Sequence, residues 1–146
     1  MRKQFLMGLA VVAITTYSLI YDSGTAGFIA ASNAAELGYA PQVSNEREIK
    51  VTATLQEIQN EAKTWDFEVV LETHTKALGD DMAKSSVLIV NGKQYMPLGW
   101  EGAPPGGHHR KGTLRFKAIA PPAAAVELQI HLAGDPSPRS FKWLLK

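Results

Sequence analysis

The sequence predicts an all-β domain, a seven-stranded immunoglobulin-like sandwich behind an N-terminal export segment, with a small closed β-barrel as the alternative. Three observations carry this expectation. Apolar and polar residues alternate in segment after segment between Glu48 and Lys146, which is the period of a half-buried strand. Turn-forming residues separate these segments at roughly eight- to twelve-residue spacing, as in small sandwiches. No stretch sustains the helical period that the crossover helices of a parallel sheet require.

In chain order, residues 1–26 come first. Arg2 and Lys3 lead into about 16 apolar or near-apolar residues from Phe5 to Ile20, and small residues follow at Gly24 and Ala26. This is the pattern of a secretory signal peptide, with cleavage after Ala26. A second cleavage candidate, Ser32-Asn33-Ala34, lies further from the apolar run. The competing reading is an uncleaved membrane anchor, but the run is shorter than the roughly 20 residues that span a bilayer, and Thr15, Thr16 and Ser18 interrupt it. Residues 27–47, rich in Ala, Ser, Asn and Gly without a sustained period, read as a flexible linker. The β-sandwich domain is then residues 48–146.

Within it, Ile49, Val51, Ala53 and Leu55 alternate with polar residues, and Trp65, Phe67, Val69 and Leu71 do so again. Val87–Val90 is followed by Asn91-Gly92 and a second β-prone run; Asn-Gly favours the positive φ angles of a two-residue hairpin turn. That register sets Val90 opposite Lys93, Leu88 opposite Tyr95 and Val87 opposite Met96, with Pro97 marking an edge or bulge. Leu114, Phe116 and Ala118 form a fifth alternating segment, Val126 to Leu132 a sixth, and Phe141, Trp143 and Leu145 a seventh. Trp65, Phe67, Phe116, Leu128, Ile130 and Trp143 are the expected shared core. In immunoglobulin order the second strand lies beside the fifth, so Asp66, Glu68 and Glu72 are expected to face Arg115 and Lys117.

Composition narrows the function. The chain has no cysteine, which removes a lipoprotein anchor, disulfides, thiolate metal sites and a cysteine nucleophile together. Loss of residues 1–26 would take away Arg2, Lys3 and Asp22, leaving 13 basic and 13 acidic side chains. A nearly neutral chain lacks the basic surface that nucleic-acid binding needs. The charge is segregated, however: residues 48–81 carry net −5 and residues 101–146 net +4.

The segment Trp100-Glu101-Gly-Ala-Pro-Pro-Gly-Gly-His108-His109-Arg110-Lys111-Gly112 concentrates the candidate site. As a recognition loop at one end of a sandwich it would present Trp100, Glu101, His108, His109 and Arg110 to a partner. In the plainer structural alternative, Gly106 and Gly107 supply positive φ and Arg110 ties the loop to an acidic neighbour such as Glu101 or Glu72. Metal binding, copper first and zinc second, would draw on His74, His108, His109 and Met96, because imidazole and thioether suit those ions. Asp80 and Asp81 are too few for a calcium site and fit a helix cap better. Glu101 with a neighbouring histidine has no second carboxylate, and no nucleophile elbow occurs, so the reading is not an enzyme.

The run from Thr64-Trp65 through Thr73-His74-Thr75 to Trp100-Glu101-Gly102 and Gly106-Gly107-His108-His109-Arg110 resembles a group of small exported prokaryotic proteins without a settled function. The resemblance spans about residues 48–146. It implies that Trp100, Gly106, Gly107, His108, His109 and Arg110 act as one motif with His74, and it supplies no activity. The sequence thus points to an exported, periplasmic or extracellular, non-catalytic binding or assembly domain of the cell envelope, its contact surface on residues 99–112. The partner would be an envelope protein or ligand, and the membrane would be met only through an uncleaved N-terminal segment. The alternative is a periplasmic copper- or zinc-binding protein using His74, His108 and His109.

Overall fold

The computed structural model describes residues 39–59, 61–120 and 123–145; the expected export segment and residues 27–38 of the expected linker lie outside them. The elements are β1 (Gln42–Glu46), β2 (Ile49–Leu55), β3 (Thr64–Thr73), α1 (Met82–Ser85), β4 (Ser86–Val90), β5 (Lys93–Tyr95), β6 (Gly99–Gly102), β7 (His109–Lys117), β8 (Ala125–Ile130) and β9 (Arg139–Leu144). One sheet has the order β1-β2-β3-β7-β6 and the other β5-β4-β8-β9, every pairing antiparallel. The sheets remain separate, so the fold is a sandwich and not a barrel. With β1 and β6 set aside, the second of the remaining seven strands lies beside the fifth and the third beside the sixth, as in the immunoglobulin Greek key.

Period-two burial explains most of this arrangement. β3 buries Trp65, Phe67, Val69, Leu71 and Thr73 on one face, and β7 buries Arg110, Gly112, Leu114 and Phe116. All six expected core residues are buried. Phe67 joins them: its ring meets Phe116 edge-on, with centroids 5.5 Å apart, and meets Trp143 at 5.5 Å. Such aromatic contacts add specific geometry to the area that is buried.

The described residues form nine strands where seven were expected. β1 occupies residues assigned to the linker, so the ordered fold begins before Glu48. Its one large apolar residue, Val43, is 58% exposed, which leaves no alternation to read. β1 is held instead by backbone pairing with β2 and by Gln42, whose side chain hydrogen-bonds both the N–H and the C=O of Lys142 on β9. β6 lies inside the segment read as a loop; its sequence Gly-Trp-Glu-Gly hides a strand because two of its four residues have no side chain. β7 starts at His109, so the true loop is only residues 103–108.

The β4–β5 hairpin has the expected register, with Val90 opposite Lys93, Leu88 opposite Tyr95, and φ of 52° and 77° at Asn91 and Gly92. Its ladder ends at Tyr95, so Met96 does not pair with Val87. On the outer face Arg115 pairs with Asp66 at 2.8 Å, as expected. Glu68 instead meets Lys111 at 3.1 Å and Glu72 meets Lys50 at 3.0 Å, while Lys117 lies opposite Thr64 and takes no part in the ladder. Exposed pairs of this kind set register more than stability.

The strand directions define two poles. The β1–β2 turn, residues 74–81, residues 103–108 and the β8–β9 turn lie at one, here the upper pole. β1 runs toward it from Gln42, opposite Ala53, and β9 runs away from it to Leu144, so both ends of the described chain lie toward the lower pole.

Candidate functional site

The upper pole is built around Arg110. Period two on β7 places it on the same face as Leu114 and Phe116, and its side chain is only 1% exposed. Its guanidinium donates to the carbonyls of Leu78 at 3.0 Å, Asp80 at 2.7 Å and Ala103 at 3.3 Å. Burial lowers its pKa from the ordinary arginine value, with Asp80 and Asp81 opposing that shift. The planar fork of arginine is the one cationic side chain that can span several fixed acceptors in this way.

Trp100 covers this group from the sheet edge. Its indole lies 5.7 Å from the guanidinium and its Nε1–H donates to Ala103 at 3.0 Å. The ring runs across Gly112, where an added Cβ would come within 2.5 Å of it. Gly102 is equally constrained, since its Cβ would stand 2.4 Å from the Gly112 Cα. Arg110, expected to face a partner, is therefore an internal part of the lip, while Trp100 is half-buried over it; Arg110 ties the loops through carbonyls and not through Glu101 or Glu72.

Backbone bonds complete the lacing. Gly106 N–H donates to Leu78 O at 2.8 Å, Leu78 N–H to Gly107 O at 3.0 Å, and Thr73 N–H to His108 O at 2.9 Å. Gly106 and Gly107 have φ of 118° and 72°, the positive values expected of them. His108 Nδ1 hydrogen-bonds the Lys76 carbonyl at 2.8 Å, which fixes the proton on that nitrogen. Asp81 caps α1 by accepting from Ala83 and Lys84, and Asp80 accepts from Ala133 N–H.

What this leaves outward is Pro104, Pro105, Gly107, His108 and His109, with Glu101 further down β6 bound to Arg115 at 3.0 Å. His74 is exposed on the same pole. His109 is opposite Glu72, and both His109 and His74 act electrostatically on that carboxylate. Lys50 is the main cause of Glu72's lowered pKa, through its hydrogen bond and its charge. Met96 is placed elsewhere. Leu98 N–H bonds Arg115 O, six residues down β7 from His109, a separation of about 20 Å along a strand. Met96 and His109 do not meet. Among the described residues no three His, Asp or Glu side chains group so as to hold a metal ion.

A second buried guanidinium was not singled out from the sequence. Arg139, at the start of β9, pairs with buried Asp135 at 2.8 Å and donates to Ile49 O at 2.6 Å and Glu46 O at 2.9 Å. The signal was present, because Arg139 shares the period-two face of Phe141 and Trp143. Compared with models of protein families, with curated proteins and with solved structures, the chain gives no match.

Proposed function

We propose that this chain is an exported, non-catalytic binding or assembly domain of the cell envelope, and that its contact surface is the upper pole. The observation that supports this reading is the lacing of residues 103–108 to residues 74–80 through buried Arg110. A loop already fixed in one conformation loses little entropy when a partner binds, so more of the contact energy appears as affinity. Pro104 and Pro105 stiffen the tip further, and His108 and His109 supply polar contacts beside it.

Orientation supports the same surface. The described chain comes from the lower pole, so a segment anchored through residues 1–26 would leave the upper pole directed away from the anchor. A photo-crosslinking residue at Pro105 in the full chain, expressed in an envelope-bearing cell, tests the reading. It is expected to give a discrete adduct that the same residue at Asn91, on the lower pole, does not give. Equal adducts at both positions, or none at Pro105, would contradict it.

A further inference from the structure

The β1–β2 turn raises a question of its own. Arg47 and Glu48 have φ of 49° and 65°, the left-handed region that ordinary side chains resist. The same two-residue turn at Asn91-Gly92 is made with residues that favour it. Arg47-Glu48 is held in place from below, since Arg139 grips the carbonyls on both sides of the turn and Asp135 fixes Arg139. Strain that is held by its surroundings in this way concentrates at ligand clamps.

Beside the turn is an open pocket of about 410 Å³ whose lining includes Asn45, Glu48, Lys50, Glu72, His74 and Thr75. Asn45, Lys50, Glu72 and His109 form one row across four adjacent strands of the outer face, with neighbours about 4.8 Å apart. The carboxylates are already paired: Glu72 with Lys50 at 3.0 Å and Glu48 with Lys76 at 4.0 Å. A paired carboxylate keeps unused lone pairs and a paired ammonium keeps unused N–H donors. Because each charge already has its opposite within 3.0 or 4.0 Å, an incoming ion of either sign gains little net attraction. A hydroxyl, donor and acceptor at once, uses the remaining positions on both.

We propose that this pocket binds a neutral polyhydroxylated ligand, a sugar residue of a glycan, with Glu48 held by the strained turn as one of its contacts. The pocket shares the upper pole with the 103–108 lip but has its own lining and needs no protein partner, so failure of one reading does not entail failure of the other. The test is NMR titration of the full chain in a detergent without a sugar headgroup. N-acetylglucosamine and galactose are the probes, with inorganic phosphate and calcium chloride as ionic counterparts. At least one sugar is expected to shift the amides of Asn45, His74 and Thr75 with a dissociation constant of about 1 mM or tighter, and the ions are expected to shift them less.

Glu48→Gly separates a clamp from a mere turn. It is expected to raise the melting temperature by relieving the strain, and to weaken sugar binding about tenfold or more. Asn45→Ala is expected to weaken binding without that stabilisation, and Lys93→Ala on the lower pole to leave binding unchanged. Absence of any sugar-induced shift at the three amides, a stronger response to phosphate or calcium, or a stabilised Glu48→Gly variant with unaltered binding would each overturn the proposal.

Discussion

Replacing Arg110 by Met keeps most of the buried stem but removes the guanidinium. The Asp80 carbonyl then loses its donor, the Leu78 and Ala103 carbonyls keep only their bonds from Gly106 N–H and Trp100 Nε1–H, and the Trp100 face loses its cation. A hydrogen bond from a charged donor contributes about 1.5 to 3 kcal/mol, and a stacked cation a further 0.5 to 2 kcal/mol or so when shielded from water. Some of this returns, because the Ala103 and Asp80 carbonyls are only partly buried and can be rehydrated. The desolvation of the arginine itself is also recovered. A net loss of about 3 to 5 kcal/mol follows, and with about 4 to 8 °C per kcal/mol for a domain of this size the melting temperature should fall by 12 °C or more. The assay is thermal unfolding followed by circular dichroism, with Arg110→Lys in parallel; Lys keeps the charge but cannot span three acceptors, so it should recover less than half of the loss. A melting temperature for Arg110→Met within about 3 °C of the parent, or full recovery by Lys, would show that the guanidinium does not hold the two loops together.

Three further expectations use different parts of the fold. Gly112→Ala drives a methyl group to 2.5 Å from the Trp100 ring and 2.7 Å from the Glu101 carbonyl; it should cost about 1 to 3 kcal/mol in urea unfolding and alter the tryptophan fluorescence. Phe67→Ala removes the ring that touches both Phe116 and Trp143 and should cost about 3 to 5 kcal/mol, measured the same way. Glu127 has its pKa held below the ordinary 4.5 by hydrogen bonds from Ser140 and Gln129. The unfolded chain therefore takes up this proton first, so its contribution to stability is present above pH 4.5 and is lost as the pH falls through the folded-state value. Glu127→Gln should flatten the acid limb of the stability curve, and an unchanged slope would show that the group contributes nothing there.

Strands β2, β3, β7, β8 and β9 were legible because each sheet of a sandwich buries one face and exposes the other, which forces period two, and they obey it residue by residue. The Asn91-Gly92 turn was legible because few other residue pairs adopt its dihedral angles without strain. β1 and β6 were not, because an edge strand needs only backbone pairing on one side, and Gln42 and Gly102 carry no apolar signal of it. The position of Met96 was misread for a related reason: pairing it with Val87 assumed that β5 continued past Tyr95 to Pro97, which lacks an N–H.

The candidate site divides in the same way. Its residues were visible as a motif, and the positive φ of Gly106 and Gly107 follows from glycine alone. That Arg110 points inward could have been read by extending the alternation of Leu114 and Phe116 back along β7, had the glycines not suggested a loop up to Gly112. The contacts that matter most, from Arg110 to Leu78 and Asp80, cross about 30 positions of sequence between two irregular segments. No period or turn rule connects them. They arise only after β3 and β7 pair and bring the ends of both segments to one pole.

The lacing through Arg110 requires the upper pole to be ordered in the free protein. Backbone 15N relaxation, read at Leu78, Gly106, Gly107 and His108, measures that order. Order parameters of about 0.85, equal to those of the sheet, are expected there. Values below about 0.6 at these residues, with those of β3 and β7 still high, would contradict it.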